Sequence, residues 1–231
     1  MRIQLLADLK YRQAFSHYLS HVADIQLVSD KPDIIVDSSF LNPRKKIDTL
    51  RSVFPIPPII SNSLSISSTT VWHAIGEKAQ VVGVPMLPHY FDRQLSVEYS
   101  LPYQGSIKKN THDAPELFLP FLSLLGKIGE QVNDAIAGVF PRTLAMIINE
   151  AAFAVQESVA TAADIDTAMK LGTNYPKGPL AWCDEIGAEA IVAILDALAG
   201  EYGSERYRVA ALLRRYAESG MKFIGQRVDE V

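Results

Sequence analysis

Two histidines four residues apart, His17 and His21, would lie on the same side of a helix. That spacing suits a metal pair, but a tetrahedral centre needs more ligands. Neither His73, His89 and His112 nor the single cysteine, Cys183, stands at a spacing that supplies them. The pair therefore reads as a polar helix surface, and no metal is expected. The basic runs Arg44-Lys45-Lys46 and Lys108-Lys109 read either as solvated surface or as local contacts for phosphate groups. The Ser/Thr-rich stretch 61–70 has the composition of loops and helix caps. Trp72 and Trp182 read as core or contact aromatics rather than base-stacking platforms.

Nucleotide chemistry would need a particular turn. A glycine-rich loop cradles pyrophosphate because a Cβ would block close approach to the backbone. Here the first glycine is Gly76. The first apolar run, 2–6, leads directly into Ala7-Asp8-Leu9-Lys10-Tyr11-Arg12. Asp8 places a negative charge where a helix N-terminus ordinarily attracts anions. Tight dinucleotide binding is not expected.

The elements that must position these residues change character along the chain. Up to residue 105, short runs rich in β-branched residues (2–6, 24–28, 33–36, 59–60 and 80–84) alternate with helical patterns at 9–21 and 45–54. In the first helix Phe15, Tyr18, Leu19 and Val22 repeat at helical spacing. Strands alternating with helices predict a parallel α/β layer. Pro55, Pro57 and Pro58 punctuate the approach to the strand at Ile59. A polar stretch at 108–113 suits a linker. From 111 to 231 the pattern is helical, with Leu144, Ile147, Ile148, Ala151, Ala152 and Val155 on one face. Asp164 suits an N-cap, with Gly172 as the left-handed terminus of that helix. Pro179 opens the next helix and Gly187 closes it. Two more end at Gly203 and Gly220.

The bulk numbers exclude some classes. The 231 residues are 48% hydrophobic and 21% charged, with a net charge of −4. No dense basic run points to nucleic acid. No apolar run is long enough to span a bilayer, and no secretory signal is evident. One cysteine allows no internal disulfide and favours a reducing compartment. A cytoplasmic protein is expected.

Four motifs in sequence order carry a resemblance: Leu125-Gly126-Lys127; GVFPRTLAMIINEA at 138–151; DIDTAMKLGTNYPKGPLAWCDEIG at 164–187; and Gly203-Ser-Glu-Arg-Tyr-Arg-Val-Ala-Ala-Leu-Leu-Arg. They resemble the helical C-terminal domain of the 3-hydroxyacyl-CoA dehydrogenases, especially members acting on short or dicarboxylic acyl-CoAs. A looser match follows in the first half. PDIIVD at 32–37 is similar to the family's ADLVIEA, ISNSLSIS at 60–67 to SNTSSLSIT, and Val81-Val82-Gly83 to the start of VVGLHFFNP. The resemblance implies a shrunken Rossmann-like parallel sheet over 1–105. An all-α domain like that closing 6-phosphogluconate dehydrogenase would follow over 111–231.

The family's chemistry uses a His–Glu dyad, the imidazole taking the hydroxyl proton while hydride leaves to NAD. Aligned without gaps from Gly83, the histidine falls on Pro85. With a small insertion, His89-Tyr90-Phe91-Asp92 resembles HFFN, and Glu98 resembles the family's glutamate in either alignment. The dyad implied is His89 and Glu98; the alternative is a loop histidine and a strand-edge glutamate. The family's substrate-contacting serine falls on Leu64 without gaps and near Ser63 or Ser65 with one. Asp30 stands where the family's acidic ribose contact lies, or is a turn residue before Lys31-Pro32. The family's asparagine before Arg142 falls on Pro141, which has no side-chain amide.

NAD is thus implied by resemblance alone and tight binding is not expected; acyl-CoA is the implied ligand. The resemblance also implies a homodimer through the helical domain; Ile191, Ile194, Leu195 and Leu198 form a helical stripe that reads either as its interface or as internal core. Three readings stand: a family member with weak or lost oxidation, an active dehydrogenase with an altered site, and an acyl-CoA-binding or partner subunit.

Overall fold

The structure is a computed structural model that describes residues 1–53, 57–76, 78–103, 116–203 and 205–225. The chain divides into two compact units, Met1–Gly138 and Val139–Val231. The polar stretch expected as a linker, with Lys108, Lys109 and His112, lies outside the described residues, as do Phe54 and Pro55.

In the first unit, β1 (Arg2–Leu6), β2 (Gln26–Leu27), β3 (Ile34–Asp37), β4 (Ile59–Asn62) and β5 (Val81–Val84) form one sheet in the order β2-β1-β3-β4-β5. Every pairing is parallel. Alternate side chains leave opposite faces of a strand, and here both faces are covered. Ile34, Val36, Ile60, Val82 and Val84 pack with Phe15 and Leu19 of helix α1 (Leu9–Ser20). Ile35, Ile59 and Val81 pack with Leu50 of α2 (Pro43–Ser52) and Val71 and Trp72 of α3 (Ser68–Ile75). That is why β3, β4 and β5 read as unbroken apolar runs rather than alternating ones.

The first unit continues beyond 105. β6 (Ser96–Tyr99) and β7 (Ile128–Gln131) pair in parallel, with α4 (Phe118–Leu124) between them in sequence. The expectation of helix alone after 111 misses β7. Ile128-Gly129-Glu130-Gln131 has only one large apolar residue and is largely exposed, so no hydrophobic period announces it.

The second unit holds α5 (Phe140–Gln156), α6 (Ala162–Thr173), α7 (Pro179–Ile186), α8 (Ala188–Tyr202) and α9 (Ala211–Ser219). Pro179, Gly187, Gly203 and Gly220 stand at the helix ends assigned to them. Helix α6 is bounded differently. Thr161 is its N-cap, accepting from the Asp164 amide at 3.2 Å and donating to the Asp164 carboxylate at 2.6 Å. Its left-handed residue is Asn174, φ 55°, not Gly172, because asparagine tolerates that conformation. Ile191, Ile194, Leu195 and Leu198 are fully buried within the single chain, so of the two readings of this stripe it is the internal core that holds.

Candidate functional site

In an open parallel sheet, ligands bind beyond the carboxyl ends of the strands where the strand order reverses. Here that point lies between β1 and β3, and a crevice of about 480 Å³ opens there. Asp8, Lys10, Arg12, Leu41 and Lys45 are among its lining residues. The Asp8 carboxylate accepts the backbone N–H groups of Phe40 at 2.8 Å and Leu41 at 3.1 Å. Phe40 is buried and its ring stacks on Tyr11 of α1, centroids 5.4 Å apart. Asp30 is exposed, only its carbonyl is engaged, by Arg2 at 2.7 Å, and it is not among the crevice's lining residues.

Beneath the crevice lies a buried ion pair that the sequence reading missed. Lys46 Nζ is 3.0 Å from Asp37 Oδ2, with both side chains at most 2% exposed. The ammonium also donates to the carbonyls of Ser39 at 2.9 Å and Asn62 at 2.8 Å. Burial pulls the Lys46 pKa down, against the raising effect of Asp37. The reading of 44–46 as solvated surface holds for Arg44 and Lys45 and fails for Lys46. A signal was present: Lys46, Leu50 and Val53 fall at helical spacing, which puts a lysine in the apolar stripe of α2.

Asn62 joins three strand ends with its whole amide. Nδ2 donates to the carbonyls of Ser38 (3.0 Å) and Met86 (3.1 Å); Oδ1 accepts from the amides of Leu64 (3.2 Å) and Met86 (3.0 Å). Of the two candidate serines after it, Ser65 donates its hydroxyl to the Phe40 carbonyl. Ser63 is buried, and its backbone meets Val84 O at 3.0 Å and the Ala137 amide at 2.7 Å. Ser65 therefore holds the loop after β3.

His89 and Glu98 are not brought together: no hydrogen bond or ion pair joins them. His89 sits at φ 60° on the turn after β5 and faces α1 across a small cavity of about 50 Å³, lined also by Tyr18, Phe91 and Asp92. The Tyr18 pKa is pushed up to about 12, by burial first and then by Asp92, so this phenol stays protonated at neutral pH. Glu98 instead packs against Gly138, where a Cβ would overlap its carboxylate and would lie 3.1 Å from Pro85. The position next to Glu98 is thus the ungapped one, Pro85. Lys127, buried, holds the His89 turn from below. Its ammonium donates to the carbonyls of Phe91 and of Gln94 (2.6 Å) and lies 4.9 Å from the Phe91 ring centre. Burial lowers its pKa more than Asp92 raises it.

In the second unit the motif residues serve the fold. Asn149 donates to Arg208 O and accepts from the Ala210 amide, both at 2.9 Å, fixing the segment before α9. Asp166 accepts the first amides of α7, Leu180 and Ala181, each at 2.8 Å. Asp184 accepts the amides of Phe223 and Ile224, each at 2.7 Å. Pro141 lies in the first turn of α5, where its missing N–H costs nothing. The His17 and His21 rings do meet, with centres 4.2 Å apart and planes tilted by 52°, but no metal-binding cluster is found among the described residues.

Comparison with known proteins matches residues 139–224 to the model of the 3-hydroxyacyl-CoA dehydrogenase C-terminal domain. The 3-hydroxyadipyl-CoA dehydrogenase of Escherichia coli is 47% identical over 48% of this chain and 24% of its own. A probable 3-hydroxybutyryl-CoA dehydrogenase of Deinococcus radiodurans is 33% identical over 86% of this chain and 70% of its own. This chain belongs to the 3-hydroxyacyl-CoA dehydrogenase family.

The family fold extends through both units. The (S)-3-hydroxybutyryl-CoA dehydrogenase from Ralstonia eutropha superposes with a TM-score of 0.72 over 95% of this chain and 94% of its own, at 22% identity. The match to a probable 3-hydroxybutyryl-CoA dehydrogenase of Bacillus subtilis, 29% identical, spans 66% of that relative. So the chain covers a quarter of the first of these relatives and just under two thirds of the Bacillus one. At the switch-point crevice this chain lacks the glycine-rich turn that cradles a dinucleotide's pyrophosphate. The turn after β1 carries Cβ atoms throughout, and a carboxylate already holds the amides of Phe40 and Leu41.

Proposed function

We propose that this 3-hydroxyacyl-CoA dehydrogenase-family protein binds acyl-CoA but carries out little or no NAD-linked oxidation of 3-hydroxyacyl-CoA. The observation that carries the reading is Pro85 beside Glu98. A ring without a basic nitrogen stands where the dyad's base is required, while the only nearby histidine in sequence, His89, faces α1. A general base must come within hydrogen-bond reach of the proton it takes. Acyl-CoA is the ligand retained in this reading because the relatives' names share that moiety.

The reading extends to a cytoplasmic protein that associates as a homodimer through the helical unit. With the α8 stripe buried, the apolar side chains free for such a contact include Leu171 and Val159, 83% and 72% exposed. Light scattering at micromolar concentration tests association, and a monomeric mass rejects it.

The function is tested by thermal unfolding with acetoacetyl-CoA, alongside turnover of 3-hydroxybutyryl-CoA with NAD. A ligand that binds only the folded state adds about 2.7 kcal/mol at one hundred times its Kd. The expected result is stabilisation by acetoacetyl-CoA and no turnover. Turnover at ordinary enzyme rates, roughly 1–1000 per second, defeats the reading. In that event His89→Ala and Glu98→Gln tell whether the altered dyad performs it.

A further inference from the structure

We infer that residues 38–42 form a strap along the switch-point crevice that denies a dinucleotide its backbone donors, with the Asp8 carboxylate as its clasp. This concerns the cofactor crevice rather than the reacting centre, and it holds whether or not acyl-CoA binds.

The strap leaves β3 and is tied at successive residues to different elements. The Ser38 amide and hydroxyl both donate to Leu6 O of β1, at 2.8 and 3.2 Å. The Ser38 carbonyl accepts from Asn62 of β4, and the Ser39 carbonyl from Lys46 of α2. The Phe40 carbonyl accepts from Ser65, its ring lies on Tyr11, and its amide is held by Asp8. Asn42 then caps α2 by accepting from the Lys45 amide at 3.0 Å.

A dinucleotide at this point needs two things: a backbone it can approach closely, and donors or positive charge facing its phosphates. The strap removes the close approach and the backbone donors, leaving Lys10, Arg12 and Lys45 as the positive charge among the lining residues. Phe40 is packed into the molecule at 1% exposure, and the Phe40 and Leu41 amides that point toward the β1–α1 turn are already satisfied by a negative charge. A phosphate brought there meets the Asp8 carboxylate instead of free N–H groups. The Phe40 and Leu41 amides are satisfied from within and need no ligand to complete them.

Residue-resolved amide exchange on the full chain, with and without millimolar NAD, tests the strap. In the wild type, Phe40 and Leu41 exchange slowly and NAD changes neither rate. In Asp8→Ala both amides exchange faster by about tenfold or more. The Met86 amide, held by Asn62, serves as the internal reference and keeps its rate. Should Asp8→Ala fail to fold, Ser65→Ala removes only the carbonyl tie and is expected to speed exchange at the same two amides. Slower exchange at Phe40 and Leu41 on adding NAD to the wild type overturns the inference, as do wild-type rates in a folded Asp8→Ala. Failure of acetoacetyl-CoA to bind leaves these rates unaltered, so the two readings fall separately.

Discussion

The Asp166 carboxylate occupies the space that a side chain on Gly178 would need. It accepts the Leu180 and Ala181 amides that open α7, and a Cβ on Gly178 would overlap its own Cβ and carboxyl group. Two parts of the sequence motif, DID at the start of α6 and KGP at the start of α7, are thus one interlock: the aspartate caps, and the glycine makes room.

Gly178→Ala is expected to destabilise the helical unit by about 1–3 kcal/mol, the usual cost of overpacking a filled site. Asp166→Ala relieves the overlap with the carboxyl group but keeps the one with Cβ, and it loses two hydrogen bonds to a charged acceptor, worth about 1.5–3 kcal/mol each. The double variant should therefore be no more stable than Asp166→Ala. Urea unfolding midpoints decide; a double variant as stable as wild type would contradict the capping role.

The Lys46–Asp37 pair makes a second prediction. Lys46→Met leaves a buried carboxylate without its cation and should cost about 3–5 kcal/mol. Adding Asp37→Asn keeps an acceptor for Ser39 while removing the orphaned charge, and should recover most of that loss. Chemical denaturation of the two variants measures this. Equal stability of single and double variants would show that the ion pair is not what holds α2 to β3.

Lys127 anchors the turn that carries His89. Lys127→Met keeps the apolar stem over Phe91 but removes the donor to three carbonyls, those of Phe91, Asp92 and Gln94. Proteolytic nicking within 88–95 should become faster than in wild type, since a turn without such ties opens locally. An unchanged nicking rate would assign the rigidity of this turn to packing alone.

Cys183 is fully buried, and burial, reinforced by nearby carboxylates, raises its thiol pKa far above the ordinary 9.0. The native thiol should resist an aromatic disulfide reagent at pH 8 and react only on unfolding. The folded state keeps this proton where the unfolded chain loses it. The resulting stability is complete below pH 9.0 and declines as pH rises beyond it. Unfolding at pH 8 and pH 10 should show a larger drop for wild type than for Cys183→Ala; equal drops would mean that the thiol ionises freely in the native state.

The sequence by itself determined the parallel sheet, the helices of the second unit and the family. β-branched runs, helical spacings and end residues such as Pro179 and Gly203 act within a few neighbours of themselves, so they are visible in order along the chain. The missing glycine before α1 was legible for the same reason. Only the tertiary structure decided what distant residues do to one another. It put Asp8 onto the amides of Phe40 and Leu41, buried Lys46 against Asp37, gathered Glu98 and Pro85 at Gly138, and folded the α8 stripe inward. Each of these joins side chains from separate elements. Their partnership depends on register and packing across the fold, and no local period records which lysine will face the core or which carboxylate will find an amide.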